Sequence, residues 1–169
     1  MINFVNYKKT FTEASASEQG KVLVRSDKVV FKFDDYIKDN YTGICGIDAI
    51  YDFKYNGAIN RCFLEFKTGS NYKVSHVMEQ VLSSLIIYFK DVEALNICFK
   101  KYCFYLVICN NRRRVLDGIK KVSVRNEIGS AKNRDENFQV LFEKLKKIFF
   151  LDAGFKTGDE IVEMLEQQL

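Results

Sequence analysis

The chain of 169 residues has no proline, no tryptophan, a single histidine and only nine glycines. With so few breakers, no stretch reads as an interdomain linker, and there is no internal repeat or low-complexity tract, so residues 1–169 are expected to form one domain. A lone His76 argues against a histidine-based triad or a zinc site. The five cysteines, Cys45, Cys62, Cys98, Cys103 and Cys109, form no CxxC pair. Their spacing is too wide for zinc or iron–sulfur chemistry, and their apolar neighbours read as reduced core thiols. No P-loop and no GxGxxG is present. No apolar run approaches the roughly 20 residues that span a bilayer, and "MINFVNYKKT" has no apolar h-region, so a cytoplasmic protein is expected. The formal charge of +4 is mild. It permits a nucleic-acid partner without demanding one, and fits a slightly basic soluble protein equally well.

What remains is an ordinary globular composition, 47% hydrophobic and 28% charged, on a chain long enough for a real core. "TFTEASASEQG" starts with capping-box spacing at Thr10 and Glu13, with Gly20 as a stop signal. "KVLVRSDKVVFKF" predicts two short strands around Ser26 and Asp27, and "DDYIKDNYTG" a polar loop. In "YKVSHVMEQVLSSLIIYFK", Val74, Val77, Met78, Val81, Leu82, Leu85, Ile86 and Phe89 recur at helical spacing. "YCFYLVIC" is a short β-rich apolar run, expected as a buried strand. The C-terminal third is expected to be mostly helical, with Asn133/Glu136 and Thr157/Glu160 as caps. The sum is an α/β fold of the α-β-β-β-α-β kind with extra C-terminal helices.

The stretch "GIDAIYDFKYNGAINRCFLEFKTG" carries the chemistry. Asn56-Gly57 signals a two-residue type I′ turn, because both residues tolerate positive φ. Tyr55 then faces Ala58, and the register follows by counting: Asp52 faces Arg61, Ile50 faces Phe63, Asp48 faces Glu65 and Gly46 faces Lys67. These eight share one face, while Ile47, Ala49, Tyr51, Cys62, Leu64 and Phe66 share the other. Both faces are largely apolar, so the hairpin is expected at the centre of a covered sheet. Asp52–Arg61 reads as a plain cross-strand ion pair. Asp48 opposite Glu65 does not, since like charges facing each other in a sheet destabilise it. Three explanations are open. The acids share a proton, Lys67 neutralises them, or they hold a divalent cation. Two carboxylates, a backbone carbonyl and water are the oxygen set that Mg2+ or Mn2+ prefers. Gly46 opposite Lys67 is expected to leave room for a bound group.

Asp48 in "CGIDAIYDF", followed across a hairpin by Glu65-Phe66-Lys67 in "FLEFKTG", resembles the signature of the PD-(D/E)XK, or restriction-endonuclease-like, nucleases. The resemblance covers residues 10–110 and includes the element order. It implies a mixed central sheet flanked by helices, with residues 111–169 as a basic loop and a helical extension. It implies a metal held by Asp48, Glu65 and the Phe66 carbonyl, with Lys67 orienting the attacking water or stabilising developing charge. The products would be a cleaved phosphodiester with a 5′-phosphate. Family members often add an acid from the first helix, for which Glu13 and Glu18 are both candidates; Glu13 also reads as a cap. Many carry a glutamine on the helix after the lysine, where Gln80 fits. His76, Gln80, Ser84 and Tyr88 line one helix edge, which also reads as a solvated flank. A tyrosine common four residues after that glutamine is replaced by Ser84, with Tyr88 one turn on.

Arg112, Arg113 and Arg114 after the apolar strand, with Lys73, suit a phosphate backbone, and Lys100, Lys101, Lys120, Lys121 and Arg125 add charge nearby. A solvated basic loop is the competing reading. The expected activity is divalent-metal-dependent hydrolysis of phosphodiester bonds, in DNA rather than RNA, within a defence, repair or mobile-element system. The alternative is a nuclease-fold binding or assembly subunit without chemistry. "IFFLDAGFKTGDEIVEMLEQQL" is apolar enough to dock on a second copy or on a partner subunit.

Overall fold

The computed structural model describes residues 4–55, 58–69, 72–91, 102–109 and 129–167. After a 3-10 turn, Phe4–Tyr7, come β1 (Lys8–Thr10), α1 (Phe11–Ala14), β2 (Val29–Lys32) and α2 (Phe33–Asn40). Next come β3 (Ala49–Tyr55), β4 (Ala58–Lys67), α3 (Val74–Asp91) and β5 (Tyr102–Ile108). The chain closes with α4 (Gly129–Ile148), β6 (Asp152–Thr157) and α5 (Gly158–Glu166). The six strands form one mixed sheet in sequence order. β1 to β4 are an antiparallel meander, whereas β5 runs parallel to β4 and β6 parallel to β5.

Period-two alternation divides the core. Phe63 of β4 and Tyr102, Phe104, Leu106 and Ile108 of β5 face α2, α3 and α4, and meet Phe33, Val77, Val81, Tyr88 and Phe138. Cys62, Leu64, Cys103, Tyr105 and Val107 face the other way, against Phe11 and Ala14 of α1 and Ile161 and Leu165 of α5. β5 is buried along its whole length, as its unbroken apolar run requires. The hairpin register holds at every pair from Ala49–Leu64 to Tyr55–Ala58. Asn56 and Gly57 themselves lie outside the described residues.

Several expectations give way to tertiary structure. Residues 33–40 are a helix rather than a polar loop. Phe33, Tyr36 and Ile37 form an i, i+3, i+4 stripe against the core, and Asp34 and Asp35 occupy the first turn, where the helix dipole favours acids. Only the second of the two strands expected in residues 21–33 forms, since Val22 makes a single bridge to Ala16. Helix α1 ends at Ala14, well before Gly20. Asn133 does not cap α4, which begins at Gly129. The described part of the C-terminal third is mostly helical, as expected, but it also supplies β6, an unexpected strand that adds a parallel edge to β5. Of the apolar residues that suggested docking, Phe150, Ala153, Ile161 and Leu165 are buried in the chain's own core, whereas Ile148 and Leu151 are exposed. Among the described cysteines Cys62 and Cys103 are buried and Cys109 is half-buried, but Cys45 is exposed. No helix among the described residues is long and apolar enough to cross a membrane.

Candidate active site

One end of the sheet gathers the polar groups. β2 ends there at Lys32, β4 ends at Lys67, and β3 begins at Ala49, with Asp48 in a bend just before it. β5 ends at the same level, since Ile108 pairs with Lys67, and β6 does too, since Thr157 pairs with Ile108. Ligands of open α/β sheets favour this position, beyond the carboxyl ends of parallel strands.

Asp48 and Glu65 lie side by side without their carboxylates facing each other unscreened. The Asp48 backbone N–H donates to Glu65 Oε2 at 3.2 Å, and the Phe66 N–H donates to Asp48 Oδ2 at 2.7 Å. Each acid's second oxygen meets a lysine. Lys32 Nζ is 3.1 Å from Asp48 Oδ1, and Lys67 Nζ pairs with Glu65 Oε1. Two backbone donors thus fix the two acids, and a lysine ammonium lies against each of them. The bend displaces Asp48 from the ladder, and Ile47 with it. Ile47 joins the cluster of Ile50 and Phe63 rather than the opposite face expected from strict alternation.

Glu65 is 1% exposed. Burial pushes its carboxyl up to about 8, helped by the negative charge of Asp48 and opposed by Lys67 and Gln80. Near neutral pH Glu65 therefore tends to hold a proton. Asp48 and Lys67 keep about a fifth of their side-chain surface open, 23% and 20%, so the site reaches solvent through them.

Helix α3 closes the site from one side, and its polar edge is buried rather than a solvated flank. Gln80 Nε2 donates to the Gly46 carbonyl at 3.0 Å, and Ser84 Oγ accepts the Ile47 N–H at 2.8 Å. Tyr88 is buried against Phe63, and only His76 is exposed, 3.9 Å from Glu79. Gln80 Oε1 is buried without a hydrogen-bond partner among the described residues. Gly46 does not open space for a ligand. A Cβ there would lie 2.2 Å from Ile37 Cδ1 and 3.2 Å from Ser84 Oγ, so the glycine lets α2 and α3 close over the backbone.

Of the residues singled out in the sequence, Asp48, Glu65, Phe66, Lys67 and Gln80 come together. Glu13 does not join them. It completes the capping box with Thr10, whose backbone and hydroxyl hold its carboxyl below the usual range. Its helix packs on the opposite face of the sheet from α3. Glu18 is exposed in the segment after α1. Lys73 is exposed one residue before α3. Arg112, Arg113, Arg114, Lys100, Lys101, Lys120, Lys121 and Arg125 lie outside the described residues. Asp52 and Arg61 form the expected ion pair, two-pronged at 2.6 and 2.7 Å. Lys32 is the site residue that sequence reasoning missed. The available signal was its place at the end of the strand preceding the hairpin. No cluster of three or more histidine, cysteine, aspartate or glutamate side chains suited to a metal occurs among the described residues. Any ion at Asp48 and Glu65 would draw its remaining ligands from backbone and water.

No family model, curated protein or solved structure matches the chain.

Proposed function

We propose that this chain is a divalent-metal-dependent nuclease of the PD-(D/E)XK type, hydrolysing phosphodiester bonds in DNA. The observation that carries the reading is the convergence of Asp48, Glu65 and Lys67 at one sheet end, with Asp48 bonded through its own backbone to Glu65. The order of α1, the antiparallel strands β2 to β4, α3 and the parallel strand β5 also supports a restriction-endonuclease-like core.

The donor set fits Mg2+ or Mn2+. Asp48 offers hard anionic oxygens, Glu65 would offer them on giving up its proton to an entering cation, the Phe66 carbonyl is adjacent in the chain, and Gln80 Oε1 is a buried acceptor without a partner among the described residues. A bound ion supplies Lewis-acid polarisation of the phosphate and a water of lowered pKa. Asp48 and Glu65 hold their orientation through the Phe66 and Asp48 N–H groups. Lys67, steered by Glu65 Oε1, orients the attacking water and stabilises charge growing on the phosphate oxygens. Gln80 keeps the backbone at Gly46 in place, two residues before Asp48.

The test is calorimetric titration of Mn2+ into wild type and into Asp48→Asn/Glu65→Gln, alongside plasmid cleavage by both. Binding and cleavage in wild type, and loss of both in the variant, are expected. Cleavage retained by a clean Asp48→Asn preparation would remove this site from the chemistry. A second reading, a nuclease-fold subunit without chemistry, is favoured by one observation: each acid already has a lysine on one of its oxygens, so both are partnered without a metal. Absence of both Mn2+ binding and cleavage in wild type would favour that reading.

A further inference from the structure

The two acids are held in the same way. Each has one oxygen on a backbone N–H and the other on an ammonium group: Asp48 Oδ2 on Phe66 and Oδ1 on Lys32, Glu65 Oε2 on Asp48 and Oε1 on Lys67. The backbone donors belong to the sheet end and cannot leave without unravelling it. The ammonium groups can, because each ends a flexible four-carbon stem. Lys32 is not embedded like Glu65: its side chain is 15% exposed and that of Asp48 23%, so the pair stands at the solvent-facing rim. A divalent cation approaching the carboxylates meets Lys32 at Asp48 Oδ1, and two cations cannot share that oxygen without strong repulsion.

We infer that Lys32 is a second working lysine of this site. It occupies Asp48 Oδ1 in the metal-free protein, yields that oxygen to the divalent cation, and then binds a non-bridging oxygen of the substrate phosphodiester. The inference rests on the nuclease reading above and adds a residue outside the Asp48, Glu65 and Lys67 constellation. The displaced ammonium stays tethered to the last residue of β2, beside the sheet end where the acids lie. An anionic substrate phosphate at Lys32 would offset the positive charge that metal entry adds. Lys32 thus has opposite effects on two ligands. It opposes the metal and favours the phosphate.

That opposition makes the test sharp. Mn2+ affinity is measured by calorimetry, and KM for duplex DNA cleavage is measured over a salt series. Both use wild type, Lys32→Met and Lys32→Arg, with fold integrity checked by urea unfolding. Lys32→Met is expected to bind Mn2+ about five-fold tighter or more, the lower end of ordinary coupling between ligands. It is also expected to show a raised KM, with the slope of log KM against log salt reduced by about one. Lys32→Arg, which keeps the charge, should stay near wild type in both and remains informative if the methionine variant does not fold. Unchanged or weaker Mn2+ binding in folded Lys32→Met would overturn the inference, as would a Lys32→Arg variant that behaves like Lys32→Met. Absence of Mn2+ binding in wild type would instead overturn the metal-nuclease reading itself, so the two failures are distinguishable.

Discussion

Raising the pH is expected to weaken this fold through Glu65, and Glu65→Gln should remove that dependence. The carboxyl has an ordinary value of 4.5 in the unfolded chain and is pushed up to about 8 in the folded one, first by burial and then by Asp48. Below 4.5 both states hold the proton and the fold keeps its full stability. Between the two values the unfolded chain has released a proton that the folded chain still holds, so stability falls as pH rises. At about 1.4 kcal/mol per pH unit, the interval corresponds to a loss of at most about 5 kcal/mol, complete once both states are ionised. That is a large share of the 5–15 kcal/mol typical of a domain. The assay is urea unfolding of wild type and Glu65→Gln at about pH 5, 7 and 8.5, taking the difference at each pH so that groups common to both cancel. Wild type should be the relatively weaker protein at the highest pH and gain on the variant as pH falls. A wild-type-minus-variant difference constant within about 1 kcal/mol from pH 5 to 8.5 would refute the reasoning, because Glu65 would then hold no extra proton in the fold.

Two further predictions concern the frame around the site. A Cβ at Gly158 would fall 1.7 Å from the Leu23 carbonyl oxygen, a backbone atom that cannot rotate away. Gly158→Ala is therefore expected to cost on the order of 3 kcal/mol or more, lowering Tm by roughly 6–12 °C for a chain of this size; calorimetry showing no shift would mean that the strand-to-helix corner is looser than described. Ser84→Ala removes the acceptor of the buried Ile47 N–H. It should cost about 1–3 kcal/mol in urea unfolding and speed hydrogen exchange at Ile47, whereas a loss below about 0.5 kcal/mol would show that another group satisfies that donor.

The legible parts of the fold were those with local causes. The Asn-Gly turn signal placed the hairpin register correctly at every observed pair, because alternation leaves one arrangement of Ile50 and Phe63 facing a core. Both capping boxes read from spacing, at Thr10 with Glu13 and at Thr157 with Glu160, are present with both of their hydrogen bonds. Helix α3 and strand β5 followed from apolar period and from run length. The losses came where a segment's role depends on its neighbours. α2 was hidden because Phe33 reads as the end of a strand until the core reveals it as the first residue of a stripe with Tyr36 and Ile37. β6 was hidden because "DAGFKT" carries a glycine and a lysine, and becomes a strand only when β5 offers it a parallel edge.

The candidate site divides along the same line. Residue types and the turn register alone set Asp48, Glu65 and Lys67 close together across the hairpin, and a bend before β3 then placed Asp48 just outside the ladder, at the sheet end. Tertiary structure decided how their charges are borne. It supplied Lys32 from a strand 16 residues before Asp48, it buried Gln80 and Ser84 against the backbone at Gly46 and Ile47, and it left Glu13 capping its own helix on the far face. Ion pairing and burial depend on which groups arrive from distant parts of the chain, and local pattern carries no record of those arrivals.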